Sequence, residues 1–311
     1  MPYDIENKFV IAVASSALFN LKESDRIYQE KGEDDYRAFQ REHENEVLAP
    51  GVAFPLIKRL LSISGDSPDE QLVEVVLLSR NDPDTGLRVF NSIEHYGLPI
   101  SRAAFTAGKK PFVYMDAFNA SLFLSGNPED VQEAVEHGFP AGCVYPTDFI
   151  DDDTDEELRL AFDFDGVIAD DSAESVYQQG ALELFQQHEK LKAGEPLPPG
   201  PLLRFFVEIS KLQKREWDKA RLDPDYRPKI RIAIATARNA PAHERVIATL
   251  RKLEIQVDEA FFLGGIDKGR VLKVFKPHIF FDDQAGHIQG VARIAPSVHV
   301  PFGVANLAGK A

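Results

Sequence analysis

The chain has 311 residues, 44% of them hydrophobic and 27% charged, a globular composition with enough length for about two domains. Its 35 Lys and Arg against 50 Asp and Glu give a net charge of −15, which disfavours nucleic acid and anionic membranes as partners. The single cysteine, Cys143, excludes an internal disulfide framework and a zinc site built on several cysteines. No apolar run is long enough to span a membrane and the start does not resemble a signal peptide, so we expect a cytoplasmic protein.

Strands and helices alternate along the amino-terminal half. The apolar run 9–19 predicts a buried strand, and the polar stretch 22–46 has helical spacing. Further strands are predicted at 73–78, 103–106, 120–124 and 142–145, and helices at 56–63, 84–96 and 128–137. This alternation is typical of a parallel sheet with helices on its faces.

An acidic segment at 148–157, DFIDDDTDEE, has too little apolar content to pack and predicts a linker. Beyond it, residues 158–169 (LRLAFDFDGVIA) predict another strand, and the alternation of strands and helices restarts. The sequence therefore predicts two domains, 1–147 and 158–311.

The two predicted domains share landmarks at nearly constant offsets. An offset of 149 relates Tyr-Gln at 28–29 and 177–178, and Pro-Gly at 50–51 and 199–200; offsets of 157 and 158 relate later landmarks, including Arg-Asn at 80–81 and 238–239. The shifts between offsets are of a size that loops tolerate. We infer a degenerate tandem duplication; the alternative is chance similarity between two α/β units.

Two carboxylates follow the predicted strand that opens the second domain. Asp163 and Asp165 precede Gly166, at the strand end where an open α/β sheet places its ligand crevice. Carboxylates this close repel unless a cation lies between them or one is protonated. Mg²⁺ prefers oxygen ligands, so the pair predicts a magnesium site in which one carboxylate attacks phosphorus and the other transfers protons. A calcium loop is the alternative.

Phosphate-binding groups are predicted at two later strand ends. Thr236 follows the apolar run 230–235, and its hydroxyl together with the amides of Ala237 and Arg238 predicts a cradle for a phosphoryl oxygen. Lys268 follows two glycines that allow a close approach of backbone and ammonium group to a ligand. Alone, Thr236 would be better explained as a residue that fills a strand end, and Lys268 as a solvated charge on a loop.

A second acidic pair, Asp282 and Asp283, follows the apolar run 279–281. Adjacent carboxylates after a buried strand are costly to desolvate without a cation. This pair therefore also indicates a metal site.

Taken in order, D-x-D, Thr, Lys and D-D at strand ends resemble the four motifs of the haloacid dehalogenase superfamily of phosphotransferases. The resemblance implies Rossmann-like domains, with a helical cap inserted after the first strand of the catalytic half. It also implies residue roles: Asp163 as nucleophile, Asp165 as acid and base, Thr236 and Lys268 on the phosphate, and Asp163, the Asp165 carbonyl and Asp282 on Mg²⁺, with Asp283 orienting or sharing the metal.

Seven segments resemble the cytosolic 5′-nucleotidase type I family: DRIYQEKG, LAPGVAFPLIKRLL, NSIEHYGL, LFLSGNPEDV, RLAFDFDGV, KPHIFFDDQ and HVPFGVAN. The resemblance implies magnesium-dependent hydrolysis of nucleoside 5′-monophosphates such as AMP through an aspartyl-phosphate. Two alternatives stay open, namely a phosphatase or phosphotransferase of the same superfamily acting on another phosphate ester, and a nucleotide sensor without turnover.

The segment 172–227 occupies the position of the cap. Such caps close over the phosphate and exclude water. Three aromatic side chains of this segment, Phe205, Phe206 and Trp217, are candidates to stack on a purine or to fill a core.

In the duplication the amino-terminal half has lost every charged catalytic position. Arg80 and Asn81 are retained at a predicted strand end, where they could bind a phosphate or a ribose. We expect this half to be a scaffold, a substrate wall or a site for a regulatory nucleotide. The oligomeric state is left open, a homo-oligomer being one option.

Overall fold

The computed structural model describes residues 3–65, 70–172, 189–304 and 306. The chain forms two compact units, Met1–Phe139 and Pro140–Ala311. The division falls before the strand Ala141–Tyr145, whereas the sequence predicts a boundary at the acidic segment 148–157.

The first unit is a parallel sheet with helices between its strands. Its strands are β1 (Phe9–Val13), β2 (Val73–Ser79), β3 (Arg102–Phe105) and β4 (Ala120–Ser125), and its α-helices are α1 (Ser15–Leu18), α2 (Lys22–Lys31), α3 (Glu33–Glu42), α4 (Phe54–Leu61), α5 (Leu87–His95) and α6 (Pro128–Glu136). The strand order is β3-β2-β1-β4, and all three pairings are parallel. Every residue of β1, β2 and β4 is buried, as expected of a parallel sheet covered on both faces.

Two boundaries in this unit differ from those that the sequence predicts. The predicted strand 9–19 ends at Val13 and is followed by the short helix α1, because an apolar run alone does not separate a buried strand from a buried helix. The polar stretch 22–46 forms two helices, which are separated by Gly32 at φ +89°, a backbone conformation that favours glycine.

The second unit is also a mostly parallel sheet. Its strands are β5 (Ala141–Tyr145), β6 (Leu158–Phe162), β7 (Ile230–Thr236), β8 (Glu259–Phe262), β9 (Ile279–Asp282) and β10 (Ser297–His299), and its described α-helices include α7 (Leu203–Leu222), α8 (His243–Lys252), α9 (Lys268–Phe275) and α10 (Ala285–Val291). The order is β5-β10-β9-β6-β7-β8, with only the β5–β10 pairing antiparallel among these. The predicted strand 158–169 ends at Phe162, because the chain turns at Gly166, whose φ is +73°.

The two units share a strand order. The order β3-β2-β1-β4 corresponds, strand for strand along the chain, to β8-β7-β6-β9. At the end of β1 the Ala14 amide donates to the Leu124 carbonyl over 2.8 Å, and at the end of β6 the Asp163 amide donates to the Phe281 carbonyl, also over 2.8 Å. These two bonds place Ala14 and Asp163 at equivalent positions of the two units.

The Pro-Gly loops at 50–51 and 199–200 have matching backbone contacts. Each proline forms an antiparallel bridge to the segment that follows the first strand of its unit. Three hydrogen bonds also match: Gly51 to Leu18 and Gly200 to Ile168, Ala53 to Ala17 and Leu202 to Val167, and Asn20 to Ala49 and Asp170 to Pro198, all between 2.8 and 3.0 Å.

Among the described helices, none is both long and apolar enough to cross a lipid bilayer.

Candidate active site

Asp163 lies directly after β6, at the carboxyl ends of the strands of the second unit, and its side chain is buried. One carboxylate oxygen accepts a hydrogen bond from the amide of Phe164 over 2.7 Å. Burial raises the pKa of this carboxyl group, and Asp282 and Asp165 act in the same direction against the opposing effect of Lys268. The tight turn that follows keeps Asp163 and Asp165 on one edge of the sheet.

Lys268 brings the first and last acidic motifs together. It is the first residue of α9, and its side chain is 96% buried. Its Nζ lies 2.7 Å from Asp163 Oδ2 and 2.6 Å from Asp282 Oδ2. Both carboxylates raise the pKa of the lysine, although burial alone would lower it, so the ammonium group stays charged between them.

Asp282 ends β9 and accepts three kinds of donor. Besides Lys268, the amide of Gln284 donates to Oδ1 over 2.8 Å, and His287 Nδ1 lies 3.2 Å from both carboxylate oxygens. Burial raises the pKa of Asp282, but Lys268 and His287 outweigh it and hold the pKa below its usual value. Asp282 is therefore held as a carboxylate.

His287 is a site residue that the sequence analysis missed. It lies on α10, and one ligand atom each from Asp163, Asp282 and His287 falls within 4.8 Å of the others. The spacing D-D-x-x-x-H, with the histidine in the first turn of a helix after the acidic strand end, is the signal that could have indicated it.

Asp283 is buried beside the same cluster. Within the described residues its Oδ1 has no hydrogen-bond partner, and burial, reinforced by Asp163 and Asp282, raises its pKa. The backbone of Gly166 comes so close that a Cβ there would lie 2.6 Å from the Asp283 carboxyl carbon. An unsatisfied buried oxygen next to two further carboxylates is what a divalent cation would relieve.

Asp165 is bound by Arg238, whereas Asp163 and Asp282 are bound by Lys268. The guanidinium group donates from Nε over 2.8 Å and from Nη2 over 2.7 Å to the two carboxylate oxygens. Arg238 Nη1 also pairs with buried Glu189, which in turn receives Arg245 over 2.8 Å. Arg238 is thus placed against the predicted acid and base.

Thr236 ends β7, the strand beside β6 in the sheet. Its hydroxyl oxygen accepts from the amide of Arg238 over 3.1 Å, which fixes the turn that contains the exposed Ala237. The three residues predicted as a phosphate cradle therefore lie together at this strand end, next to the one that carries Asp163.

The carboxyl-terminal segment packs against the loop after β9 that carries Asp283. The carbonyl oxygen of Asp283 accepts from Asn306 Nδ2 over 3.0 Å and lies 2.9 Å from His299 Nε2. The amide of Val304 donates to Asp171, which lies shortly after the D-x-D motif. These contacts fix the loop that carries Asp283.

The other predicted candidates lie elsewhere or outside the described residues. Arg80 and Asn81 belong to the first unit, where they line a separate cavity. Phe205 and Phe206 are fully buried against Phe162, so these two aromatic side chains fill a core rather than stack on a base. The Tyr-Gln pair at 177–178 and the part of the predicted cap at 173–188 lie outside the described residues.

The chain matches known proteins along most of its length. A family model described as 5′-nucleotidase matches residues 1–307. Cytosolic 5′-nucleotidase 1B of Homo sapiens is 37% identical over 297 residues, which are 93% of this chain and 48% of that protein, so the chain spans about half the length of this curated relative. A solved structure of histidinol dehydrogenase from Elizabethkingia anophelis is 9% identical over 84% of this chain and 56% of that one, with a TM-score of 0.22, too low to indicate a shared fold.

Proposed function

Because the chain belongs to the 5′-nucleotidase family, we propose that it hydrolyses nucleoside 5′-monophosphates of the AMP type to a nucleoside and phosphate. The observation that supports this most directly is the ammonium group of Lys268, which lies between Asp163 and Asp282 at 2.7 and 2.6 Å. In this proposal one edge of the sheet carries three groups: a nucleophile, a phosphate-binding cation and a metal-binding carboxylate.

The same cluster supports magnesium as the cofactor. Asp163, Asp282 and the unsatisfied Oδ1 of Asp283 are oxygen donors of the type that Mg²⁺ prefers. When bound, the ion would neutralise charge on the phosphoryl oxygens. His287 contacts Asp282 and would orient that carboxylate, a role that partners of metal ligands commonly have.

Asp163 is the proposed nucleophile. Its carboxylate oxygen attacks phosphorus, the bond from phosphorus to the ester oxygen breaks, and Asp165 gives its proton to the leaving alkoxide. A water molecule then attacks the aspartyl-phosphate while Asp165 accepts its proton, and the carboxylate of Asp163 is regenerated as phosphate leaves. The two hydrogen bonds from Arg238 to Asp165 would orient the acid and base for both transfers.

Thr236, Ala237 and Arg238 are the proposed phosphate cradle, together with Lys268. They follow a strand that is hydrogen-bonded to the strand carrying the nucleophile. Backbone amides at such a strand end are typical donors to phosphoryl oxygens. The cap proposed for 172–227 would exclude water from this region.

We further propose that the two units arose by tandem duplication and are both haloacid dehalogenase-like. The shared strand order and the paired backbone hydrogen bonds at Ala14 and Asp163 support this. The cytoplasm is the proposed location, since the human relative is named cytosolic.

A phosphate-release screen tests the proposal. Purified protein is assayed with nucleoside 5′-monophosphates and with sugar phosphates, each with and without Mg²⁺. We expect turnover of the nucleotides only with the metal ion. Preferential turnover of sugar phosphates would instead support the alternative phosphatase, and binding without turnover would support the sensor.

A further inference from the structure

The first unit contains a cavity of about 540 Å³ at the carboxyl ends of its strands. This volume is within the range of small-molecule sites. Residues after β1, β2 and β4 form one side of the cavity, and α2, α3 and the neighbouring loops form the other; they include Ser16, Ser79, Asn81, Ser125, Tyr28 and Tyr36. In the first unit this place corresponds to that of the candidate active site in the second.

Backbone contacts relate individual positions of the two sites. The Asn81 amide donates to the hydroxyl of Ser79 over 3.3 Å, as the Arg238 amide donates to Thr236. The carbonyl groups of Ser79 and Thr236 also accept equivalent amide bonds, over 3.0 and 2.9 Å. Asn81 therefore corresponds to Arg238, one residue away from the pairing that the sequence predicts.

The charged groups of the active site have neutral counterparts in this cavity. With Ala14 at the position of Asp163, Ser16 follows two residues later, as Asp165 follows Asp163, and Ser125, which ends β4 as Asp282 ends β9, replaces Asp282. The hydroxyl of Ser16 accepts from the amide of Gly126 over 3.1 Å. This side of the cavity is therefore polar and uncharged.

The charges that remain are mostly negative. The lining contains Asp25, Glu33, Asp82 and Asp130 against only two arginines, Arg37 and Arg80. Both arginines already pair with these acids. Arg37 lies 2.8 Å from Glu33 and 2.9 Å from Asp82, and Arg80 makes a two-pronged contact with Asp130. A phosphate would therefore meet repulsion from the acids and little unpaired positive charge.

Aromatic side chains provide the apolar part of the cavity. Tyr28 and Tyr36 pack edge to face, with ring centroids 5.7 Å apart, and both line the cavity. Tyrosine combines a flat apolar ring with a polar hydroxyl, which suits a planar heterocycle. Carboxylates beside it can accept hydrogen bonds from sugar hydroxyls.

From this lining we propose that the first-unit cavity binds a neutral nucleoside in preference to a nucleotide. A nucleoside has a planar base for the tyrosines and hydroxyl donors for the carboxylates, and it lacks the phosphate that the acids would repel. A nucleoside is also the product class of the proposed reaction, but binding at this cavity does not depend on turnover.

Equilibrium binding tests this inference in the full chain. Asp163→Asn is present throughout to prevent turnover, and the chain is titrated calorimetrically with adenosine, AMP and inorganic phosphate. The test variant is Tyr28→Ala. Its matched control is Tyr114→Ala, since Tyr114 is similarly exposed in the same unit but does not line the cavity.

We expect Tyr28→Ala to weaken adenosine binding by about tenfold or more, as loss of an aromatic contact commonly does, and Tyr114→Ala to leave it unchanged. Phosphate binding should be the same in both variants. Absent adenosine binding, or adenosine affinity that does not respond to Tyr28→Ala, would overturn the proposal. If Tyr28→Ala lowered the affinities for AMP and for inorganic phosphate by the same factor, the cavity would be an anion site, and the proposal would also be overturned. Failure of hydrolysis in the phosphate-release screen would leave this result intact.

Discussion

The two units carry different side chains on closely similar backbones at the carboxyl ends of their strands. The strands compared are β1, β2 and β4 in the first unit and β6, β7 and β9 in the second. The amides of Ala14 and Asp163 make equivalent hydrogen bonds, yet one side chain is a methyl group and the other a carboxylate. In the first unit hydroxyl groups occupy the strand ends, including a Ser15–Ser79 pair 2.8 Å apart. The backbone frame therefore does not determine the chemistry; the side chains at a few strand-end positions do.

The difference also has an energetic side. The second unit buries Asp163, Asp282 and Asp283 around one ammonium group, that of Lys268. Such a cluster opposes its own ionisation, as the raised pKa values of Asp163 and Asp283 indicate. The first unit has no equivalent cluster at the ends of β1 and β4 within the described residues. At these strand ends, the described carboxyl groups with raised pKa values thus lie in the unit with the proposed catalytic role, as is common at active sites.

The largest expected effect comes from removing the nucleophile or the acid and base. Asp163→Asn and Asp165→Asn should each lower kcat by about 10³-fold or more, since the two roles are separate and both are required. Phosphate release measures the loss, and circular dichroism verifies folding. The matched change in the first unit, Ser16→Ala two residues after Ala14, should leave turnover unchanged. If Asp163→Asn kept a tenth of the wild-type kcat, the nucleophile would be misassigned.

The second largest effect is expected on removal of the metal ion. This experiment should distinguish the second unit, which holds the proposed metal site, from the first. We expect EDTA to abolish turnover and Mg²⁺ to restore it. Titration of metal-free protein should give one Mg²⁺ site that Asp282→Asn weakens by at least about tenfold. Asp82→Asn, which removes a carboxylate from the first-unit cavity, should not alter that titration. Full activity after exhaustive chelation would contradict the metal site.

A smaller effect is expected at His287. His287→Ala removes the side chain that lies 3.2 Å from Asp282, and loss of such a partner commonly lowers metal affinity by about 10-fold. The Mg²⁺ concentration at half-maximal activity should rise, while kcat at saturating Mg²⁺ stays near that of the wild type. His95→Ala, at an exposed position of α5 in the first unit, is the control. A fall in kcat that saturating Mg²⁺ does not restore would assign His287 a role in the chemistry instead.

Sequence alone locates the strand ends but not the contacts between them. Asp163, Thr236 and Asp282 each follow or end a buried apolar run, so their placement at one sheet edge follows from the general geometry of parallel sheets. The contacts of Arg238 with Asp165 and Glu189 depend on side chains 73 and 49 residues away, and no periodic pattern encodes such pairs. The predicted strand ends were wrong where an apolar run continues beyond the end of the strand, as it does after Val13 and after Phe162.

The smallest effect on turnover is expected at Arg80. The sequence predicts a ligand-binding role, whereas its guanidinium group makes a two-pronged contact with Asp130, a carboxylate that is 98% buried. Arg80→Ala should leave kcat and KM unchanged and lower the free energy of unfolding by about 2 kcal/mol, because it leaves a buried charge without its main partner.

Urea unfolding measures this loss, and Arg41→Ala is the control. Arg41 pairs with Asp84 on the surface, with both side chains about half exposed or more, so this change should cost less than about 0.5 kcal/mol. A raised KM in Arg80→Ala without any loss of stability would reverse the assignment: Arg80 would then act on the substrate, and the first unit would take part in catalysis rather than bind a ligand of its own.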